Sequence, residues 1–319
     1  MAELLLLRHG KAEVGADKDD SERTLKTRGK RDAQRIGHWL QQHDLQPDCI
    51  ISSPAERALL TAEKCAKVMG IPAAHIETDD ELYLGSPETL WEHLQPRLKH
   101  YQRIMLVAHN PGLEQLLQQL LDEPLAIPDD GKLMPTAALA HLSTDASIPT
   151  PGHWQLEKLI RPRTLPRLFA FEENGLTVWR DRPAYYYKQS GVLAYRIHEG
   201  ELQLLMFKTL NNPLWKLAKG IIEPGLSAAE SAAKEAWEEL GIRGEVDPEP
   251  LGDTRHAKWG GECDLRLFAM RVTATPAEDQ WWHDKRFCQW LSPEAAAPSC
   301  VINGMGHFIK QLRAWVGHD

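Results

Sequence analysis

Continuous apolar runs alternate with stretches of helical periodicity along the first half of the chain. Such runs are typical of strands that are buried on both faces of a sheet. The predicted strands are 4–7, 48–52, 103–108, 137–142 and 154–160. Apolar residues at helical spacing predict helices over 27–42, 55–69 and 113–121. This alternation predicts a mostly parallel sheet with helices on both faces.

The second half begins with a predicted strand pair, 192–197 and 202–207, that turns at Glu199-Gly200. A helix is expected to begin at Ser227, because Ser227 and Glu230 have the spacing of a capping box, and to end at Gly241. Ala229, Ala233, Ala236 and Leu240 are expected to form the face of this helix that packs on a sheet.

Three glutamates of this helix, Glu235, Glu238 and Glu239, share another face. Like charges at this spacing repel one another and lower helix stability. Divalent cations with oxygen ligands relieve such repulsion and also polarise phosphates. The alternative is a solvated acidic face without a ligand.

Length and composition limit the possible organisation and partners. A chain of 319 residues suggests two domains, and the predicted boundaries are a first domain over 1–168, a linker over 169–184 and a second domain over 185–319. The net charge of −8 argues against a nucleic-acid polymer as partner, and the lack of a long apolar run argues against a membrane. Five scattered cysteines without a CxxC pair favour a reduced, cytoplasmic protein.

Charged and imidazole side chains follow the predicted strands of the first half. Arg8 and His9 come after the first strand, Arg57 opens the helix after the second, and His109 follows the third. Ligands of open α/β sheets bind at the carboxyl ends of strands, so these residues are expected to meet. Arg57 in a first helical turn opposes the helix dipole, which suggests an anionic partner. The alternative for His109 is a satisfied core histidine.

Three segments of the first half together resemble the histidine phosphatase superfamily, and within it the small phosphohistidine phosphatases of the SixA type. They are Arg8-His9-Gly10, Ser52-Ser53-Pro54-Ala55-Glu56-Arg57 and Val107-Ala108-His109-Asn110-Pro111. The resemblance implies a three-layer α/β/α domain that needs no cofactor. His9 would be the nucleophile that forms a phosphohistidine, and Arg8, Arg57 and His109 would hold the phosphoryl group.

One position departs from that superfamily. Many members carry a carboxylate general acid where this chain has Leu84, and Glu81 and Glu88 lie nearby but out of register. Protonation of a poor alkoxide leaving group is therefore doubtful. The absence of this general acid favours a phosphoramidate such as phosphohistidine over sugar phosphates as the substrate.

The stretch from Gly220 to Ile242 resembles the Nudix box. The resemblance implies an α/β/α sandwich that hydrolyses a nucleoside or other diphosphate linked to a group X, with Mg²⁺ or Mn²⁺. The implied metal ligands are Glu235, Glu238, Glu239 and the Gly220 carbonyl. Glu235 or Glu239 would activate water, and Lys219 would contact the substrate.

Two positions of the box depart from the family pattern. Leu226 stands where the first glutamate is expected, and Lys234 stands in place of an arginine. An arginine can hold a carboxylate by two parallel hydrogen bonds, whereas a lysine acts as a point charge. Because the cluster of Glu235, Glu238 and Glu239 is intact, we favour an active enzyme over an inactive one.

The two resemblances predict a two-domain phosphohydrolase. Fusions of this kind resemble nucleotide-sanitising enzymes in which the domains occur in the opposite order. The expected partners are a phosphorylated small molecule or nucleotide, or a phosphohistidine protein. The alternative is a phosphohistidine phosphatase that is regulated by a non-catalytic Nudix domain acting as a ligand sensor or docking module.

Overall fold

The computed structural model describes residues 1–14, 19–123, 125–210, 212–276 and 286–317. The chain divides into two compact units, Met1–Phe169 and Ala170–Asp319. Each core cluster takes its buried residues from one unit only.

The first unit contains a six-stranded sheet in the order β3-β2-β4-β1-β5-β6. Strands β1 to β4 run parallel, and β5 and β6 are antiparallel to their neighbours. The strands are β1 (Ala2–Arg8), β2 (Cys49–Ser52), β3 (Ile76–Thr78), β4 (Arg103–Ala108), β5 (Leu139–Thr144) and β6 (Gln155–Ile160). The helices are α1 (Thr27–Gln42), α2 (Glu56–Val68), α3 (Pro87–Leu94) and α4 (Gly112–Leu120).

The leucines of β1 explain why this strand lies inside the sheet. Leu4 and Leu6 pack into the core beneath α3 and α4, whereas Leu5 and Leu7 pack into the core beneath α1 and α2. Successive side chains of a strand point to opposite faces, so a run of four leucines fits a strand that is covered on both sides. This arrangement places the residues that follow β1 at the carboxyl edge of the sheet.

The second unit contains a seven-stranded sheet in which β11-β10-β9-β14-β13 form the main order, β12 pairs with β9 and β15 pairs with β10. Only the β9–β14 pair is parallel among the pairs of the described sheet. Helix α5 covers one face and α7 the other. The elements are β9 (Lys188–His198), β10 (Glu201–Thr209), β11 (Asn212–Lys216), β12 (Lys219–Ile221), α5 (Ala228–Leu240), β13 (Arg243–Lys258), β14 (Gly261–Ala274), β15 (Arg286–Leu291), α6 (Pro293–Ala296) and α7 (Met305–Val316).

The predicted fold class, two α/β domains with helices on both faces of each sheet, is confirmed. The segment 169–184, predicted to connect the domains, holds a two-stranded sheet of β7 (Phe169–Glu173) and β8 (Leu176–Arg180). Asn174 and Gly175 join these strands with φ angles of 52° and 76°. Paired positive angles suit a tight hairpin turn, so this segment forms its own hydrogen-bonded structure.

No helix in the described ranges is both long and apolar enough to cross a membrane.

Candidate active sites

His9 lies directly after β1 with its ring half-buried. Its Nδ1 lies 2.8 Å from the Gly10 carbonyl oxygen, which can only accept a hydrogen bond. The proton of the neutral ring is therefore on Nδ1, and Nε2 carries a free electron pair. Burial lowers the pKa of His9 to about 4, and the charges of Arg57 and Arg8 add to this effect. His9 is thus neutral at pH 7, as a nitrogen nucleophile requires.

The loop that carries His9 is fixed by helix α2. The Gly10 amide donates to Thr61 Oγ1 at 2.8 Å, and the same hydroxyl donates to the Arg57 carbonyl oxygen at 2.6 Å. Thr61 is fully buried. One turn of α2 therefore carries Arg57 and also anchors the backbone next to His9.

His109 lies after β4, with its ring centroid 5.0 Å from that of His9. Its Nε2 is 2.8 Å from Ser53 Oγ, and its buried Nδ1 has no hydrogen-bond partner among the described residues. Burial lowers the pKa of His109 to about 3, and His9 and Arg57 contribute to the shift. His109 is therefore a neutral ring with one nitrogen left for another ligand.

Arg8 is positioned by the backbone of the same edge. Its Nη1 donates to the Met134 carbonyl oxygen at 2.7 Å, while its buried Nε has no partner within the ranges that the structure describes. The structure thus brings together Arg8, His9, Arg57 and His109, the four residues that the sequence places at strand ends.

Arg57 contacts an aspartate that sequence reasoning missed. Its Nη2 donates to Asp20 Oδ2 at 2.7 Å, and its Nη1 donates to the Asp20 carbonyl oxygen. Tyr83 Oη donates to the same Oδ2 at 2.7 Å, and Arg23 Nη1 lies 2.5 Å from Oδ1. The Tyr83 hydrogen bond, followed by those of Arg23 and Arg57, holds the pKa of Asp20 far below its usual range. Asp20 is therefore an ionised carboxylate beside the four predicted residues.

The second site is built around Gly220 on β12 and Glu235 on α5. A Cβ atom on Gly220 would lie 2.0 Å from the Glu235 Cδ and Oε1 atoms, so the carboxylate rests directly on the glycine. Burial, followed by the charges of Glu239 and Glu238, raises the pKa of Glu235 to about 7. Because Gly220 has no Cβ atom, the partly buried Glu235 carboxylate can approach the backbone at this position.

The neighbouring glutamates have protein partners. Glu239 Oε2 accepts the Lys219 amide at 3.1 Å, and Lys234 Nζ lies 3.2 Å from Glu238 Oε1 and 3.5 Å from Glu223 Oε1. The ligand atoms of Glu235, Glu238 and Glu239 do not converge within 4.8 Å of one another. In the described part of the chain, the set of three possible ligands at that spacing is Asp79, Glu81 and His93.

Lys219 also lies in this site. Its Nζ donates to Gln189 Oε1 at 3.3 Å, and burial followed by the charge of Lys258 lowers its pKa. The structure therefore places Lys219, Gly220, Glu235 and Glu239 in one neighbourhood, with Glu238 turned toward Lys234.

Two known families match the two halves of the chain. Residues 4–103 match the sequence model of the histidine phosphatase superfamily (branch 1), and residues 187–312 match that of the NUDIX domain. The chain joins a histidine phosphatase domain to a Nudix domain. Both are hydrolase domains, in agreement with the residues assembled at each site.

A curated relative of the Nudix domain is an uncharacterized Nudix hydrolase, orf19, from Rhodococcus erythropolis. It is 34% identical over an alignment of 84 residues, and the match covers 22% of this chain and 45% of that protein. The match thus spans less than half the length of that relative.

Solved structures are similar to one domain each. The SixA protein from Agrobacterium tumefaciens is 28% identical, covers 50% of this chain and 99% of its own, and has a TM-score of 0.42. A protein histidine phosphatase SixA complexed with tungstate is 23% identical, covers 51% and 98%, and has a TM-score of 0.43. The Ap4A hydrolase from C. elegans is 17% identical, covers 41% and 98%, and has a TM-score of 0.35.

The carboxylates near Leu84 of the phosphatase domain are engaged elsewhere. Glu81 Oε2 lies 2.9 Å from His93 Nε2, and Glu88 Oε1 accepts from Gln119 at 3.1 Å. Leu84 itself is 57% exposed and adopts a φ of 54°. Asp20, the carboxylate that does lie at the site, is held ionised and cannot donate a proton at neutral pH.

The donor types of the Nudix domain are those that suit a divalent cation, but the three carboxylates are not gathered around one point in this structure. Nudix domains generally use divalent metals. Glu235, Glu238, Glu239 and the Gly220 carbonyl offer the hard oxygen ligands that Mg²⁺ prefers. Burial, followed by repulsion from Glu239 and Glu238, raises the pKa of Glu235, and a cation would offset the repulsion.

Proposed function

We propose that the chain is a two-domain phosphohydrolase. In this proposal the first domain transfers a phosphoryl group to His9 and then to water, and the second hydrolyses a diphosphate linked to another group. The observation that carries the proposal is the hydrogen bond from His9 Nδ1 to the Gly10 carbonyl, because it leaves Nε2 unprotonated beside two arginines.

In the phosphatase domain, His9 Nε2 attacks phosphorus in line with the leaving group. A nitrogen–phosphorus bond forms, and the bond to the leaving group breaks with its electron pair on the leaving atom. Arg8 and Arg57 offer guanidinium donors to the phosphoryl oxygens, and Nδ1 of His109 is the nitrogen left to contact them. Water then cleaves the phosphohistidine and regenerates His9.

In the Nudix domain, Glu235, Glu238, Glu239 and the Gly220 carbonyl would hold Mg²⁺ or Mn²⁺. The bound ion would polarise the diphosphate and neutralise its charge. Glu235 and Glu239 are the candidates for activating water, and Lys219 is the candidate for contacting a phosphate. The substrate class is a nucleotide or other phosphorylated small molecule, which fits a nucleotide-sanitising role. The five free cysteines suit a reducing compartment, and we place the protein in the cytoplasm.

Phosphoenzyme trapping tests the first domain. The parent chain, mixed with a ³²P-labelled phosphoramidate and quenched in alkali, should retain acid-labile label, and His9→Ala should retain none. Equal labelling of His9→Ala and the parent would refute His9 as the nucleophile. His100→Ala, which changes a histidine outside the site, serves as the matched control.

A second candidate function is a Nudix domain that senses a ligand or docks a partner without catalysis. The ion pair between Lys234 and Glu238 favours it, because this pair turns one expected metal ligand away. Diphosphate hydrolysis that depends on Mg²⁺ and persists in full-length His9→Ala would support the enzyme. Tight ligand binding by the same variant without turnover would support the sensor.

A further inference from the structure

Asp20 lies at the open side of the phosphatase site. Its side chain is 48% exposed, whereas Arg57 and His109 are buried and His9 is half-buried. The charge of Asp20 acts on the pKa of His109, whose ring lies 5.5 Å from the Tyr83 ring that also contacts Asp20. The Asp20 carboxylate is therefore closer to solvent than the rings of His9 and His109.

The direction of the reaction places the leaving group on this same side. An in-line displacement puts the leaving atom opposite the attacking nitrogen. A leaving group that belongs to a larger molecule needs space outside the protein, so it faces the solvent side, where the half-exposed Asp20 lies. Asp20 takes one N–H from each terminal nitrogen of Arg57, and a guanidinium has five such donors. At most three donors of Arg57 therefore remain for phosphoryl oxygens.

We propose that Asp20 determines which leaving group the phosphatase domain accepts, favouring phosphoramidates whose leaving group bears an N–H over phosphate esters. The inference rests on the proposed phosphatase function and names the substrate class of that site. The residues that carry it are Asp20 and its three hydrogen-bonding partners, Arg23, Arg57 and Tyr83.

The chemistry of the two leaving groups differs in charge. In a phosphorylated imidazole, the nitrogen bonded to phosphorus takes the electron pair of the broken bond, while the other ring nitrogen keeps its proton. The ring departs neutral, and a carboxylate at that N–H stabilises the protonated form from which it leaves. In a phosphate ester the leaving oxygen takes the pair and becomes anionic. An ionised Asp20 repels that oxygen and has no proton to give it.

The test compares two substrates in the full-length protein. N-phosphoimidazole supplies the N–H leaving group, and 4-nitrophenyl phosphate supplies the anionic one. Asp20→Asn keeps the shape of the side chain and removes its charge. We expect the ratio of kcat/KM for N-phosphoimidazole to that for 4-nitrophenyl phosphate to fall by about tenfold to a hundredfold, the range of one charge-assisted hydrogen bond. Asp20→Ser, tested beside it, should lower the same ratio.

Control variants and alternative outcomes separate this role from others. Glu22→Gln removes an exposed carboxylate two residues along the chain and should leave the ratio unchanged. An equal fall in kcat/KM for both substrates would show that Asp20 only positions Arg57. An equal rise in kcat/KM for both would show that Asp20 only competes with the phosphoryl group for Arg57. Either result overturns the inference. A parent chain that turns over neither compound and takes up no label at His9 would overturn the proposed function as well.

Discussion

The protein keeps His9 and His109 neutral, which gives their domain a characteristic dependence on pH. An unfolded histidine takes up a proton near pH 6.5. In the folded chain burial lowers the pKa of His9 to about 4 and that of His109 to about 3. Between pH 6.5 and 4 the unfolded chain therefore binds more protons than the folded one. The free energy of unfolding falls as the pH is lowered through this window.

His9→Gln should remove part of this dependence, because glutamine does not titrate. We expect the parent to lose about 2 kcal/mol more stability than His9→Gln between pH 8 and pH 5. Urea unfolding of both proteins at the two pH values measures the difference, and contributions from the Nudix domain cancel in the comparison. An identical loss in both proteins would show that the pKa of His9 does not change on folding.

A substitution at Gly220 is expected to change the activity of the Nudix domain much more than its stability. Alanine at this position would place its Cβ 2.0 Å from the Glu235 carboxylate, and that carboxylate is the movable end of a flexible side chain. We expect Gly220→Ala to displace Glu235 at a cost of about 1 kcal/mol and to abolish Mg²⁺-dependent hydrolysis. Gly306→Ala is the control, since its Cβ meets no atom within 4 Å. If Gly220→Ala keeps full Mg²⁺-dependent activity, Glu235 is not part of the active site.

At the scale of elements, local signals predicted the helices that have clear periodicity and caps. Helix α1 begins at Thr27 and ends at Gln42, as its apolar spacing predicts. Ser227 and Glu230 form the capping box of α5, and Gly241 ends it with a φ of 66°. These features depend on residues within a few positions, so the sequence alone contains them.

The buried face of α5 was predicted less well. Ala236 and Leu240 are buried and Ala229 is partly buried against the same core, as expected, whereas Ala233 is outside that core and Ser231 and Ala232 are buried without having been predicted. The prediction did not include Ser231, which is a polar residue. Its hydroxyl accepts the Glu223 amide at 3.0 Å, and that partner makes its burial possible.

Two elements went unpredicted although the sequence marks them. Ser86 caps α3 by accepting the Thr89 amide at 3.2 Å, with Pro87 in the first turn. Asn174-Gly175, between two apolar strands, is a strong hairpin signal. In contrast, Asp20 meets Arg57 and Tyr83 across 37 and 63 residues. Contacts over such separations depend on tertiary folding, and no local pattern indicates them.

The acidic face of α5 leads to a prediction about metal binding. Glu239→Gln keeps an oxygen that can accept the Lys219 amide but removes a charge that raises the pKa of Glu235. We expect millimolar Mg²⁺ to raise the Tm of the parent's Nudix transition, and this rise should shrink in Glu239→Gln. Without metal the variant should be no less stable than the parent, because repulsion is relieved.

Glu249→Gln, which neutralises an exposed carboxylate of β13, is the matched control and should respond to Mg²⁺ as the parent does. If Mg²⁺ shifts neither the parent nor Glu239→Gln, and the variant melts lower without metal, the glutamates are structural. That result would strengthen the sensor interpretation of the Nudix domain.

At the scale of the whole molecule, the two domains have separate cores and separate sets of site residues. His9→Ala should abolish metal-independent phosphatase activity and spare Mg²⁺-dependent hydrolysis, and Glu239→Gln should do the reverse. The double variant should show the phosphatase activity of His9→Ala and the Mg²⁺-dependent activity of Glu239→Gln, because the sites share no residue. Assays of both activities in the parent, the two single variants and the double variant test this. A single substitution that lowers both activities would reveal coupling between the domains.

The turn of α2 from Arg57 to Thr61 fixes the distance between the arginine and the loop that carries His9. Thr61 holds the loop of the nucleophile, and Arg57 supplies charge to the same site from four residues away. A shift of the whole helix moves the arginine and the loop together and preserves their spacing. A one-residue insertion between them would rotate one against the other by about 100°. A change of length at the far end of α2 would leave this spacing intact, whereas an insertion or deletion between Arg57 and Thr61 would separate the arginine from the loop that it serves.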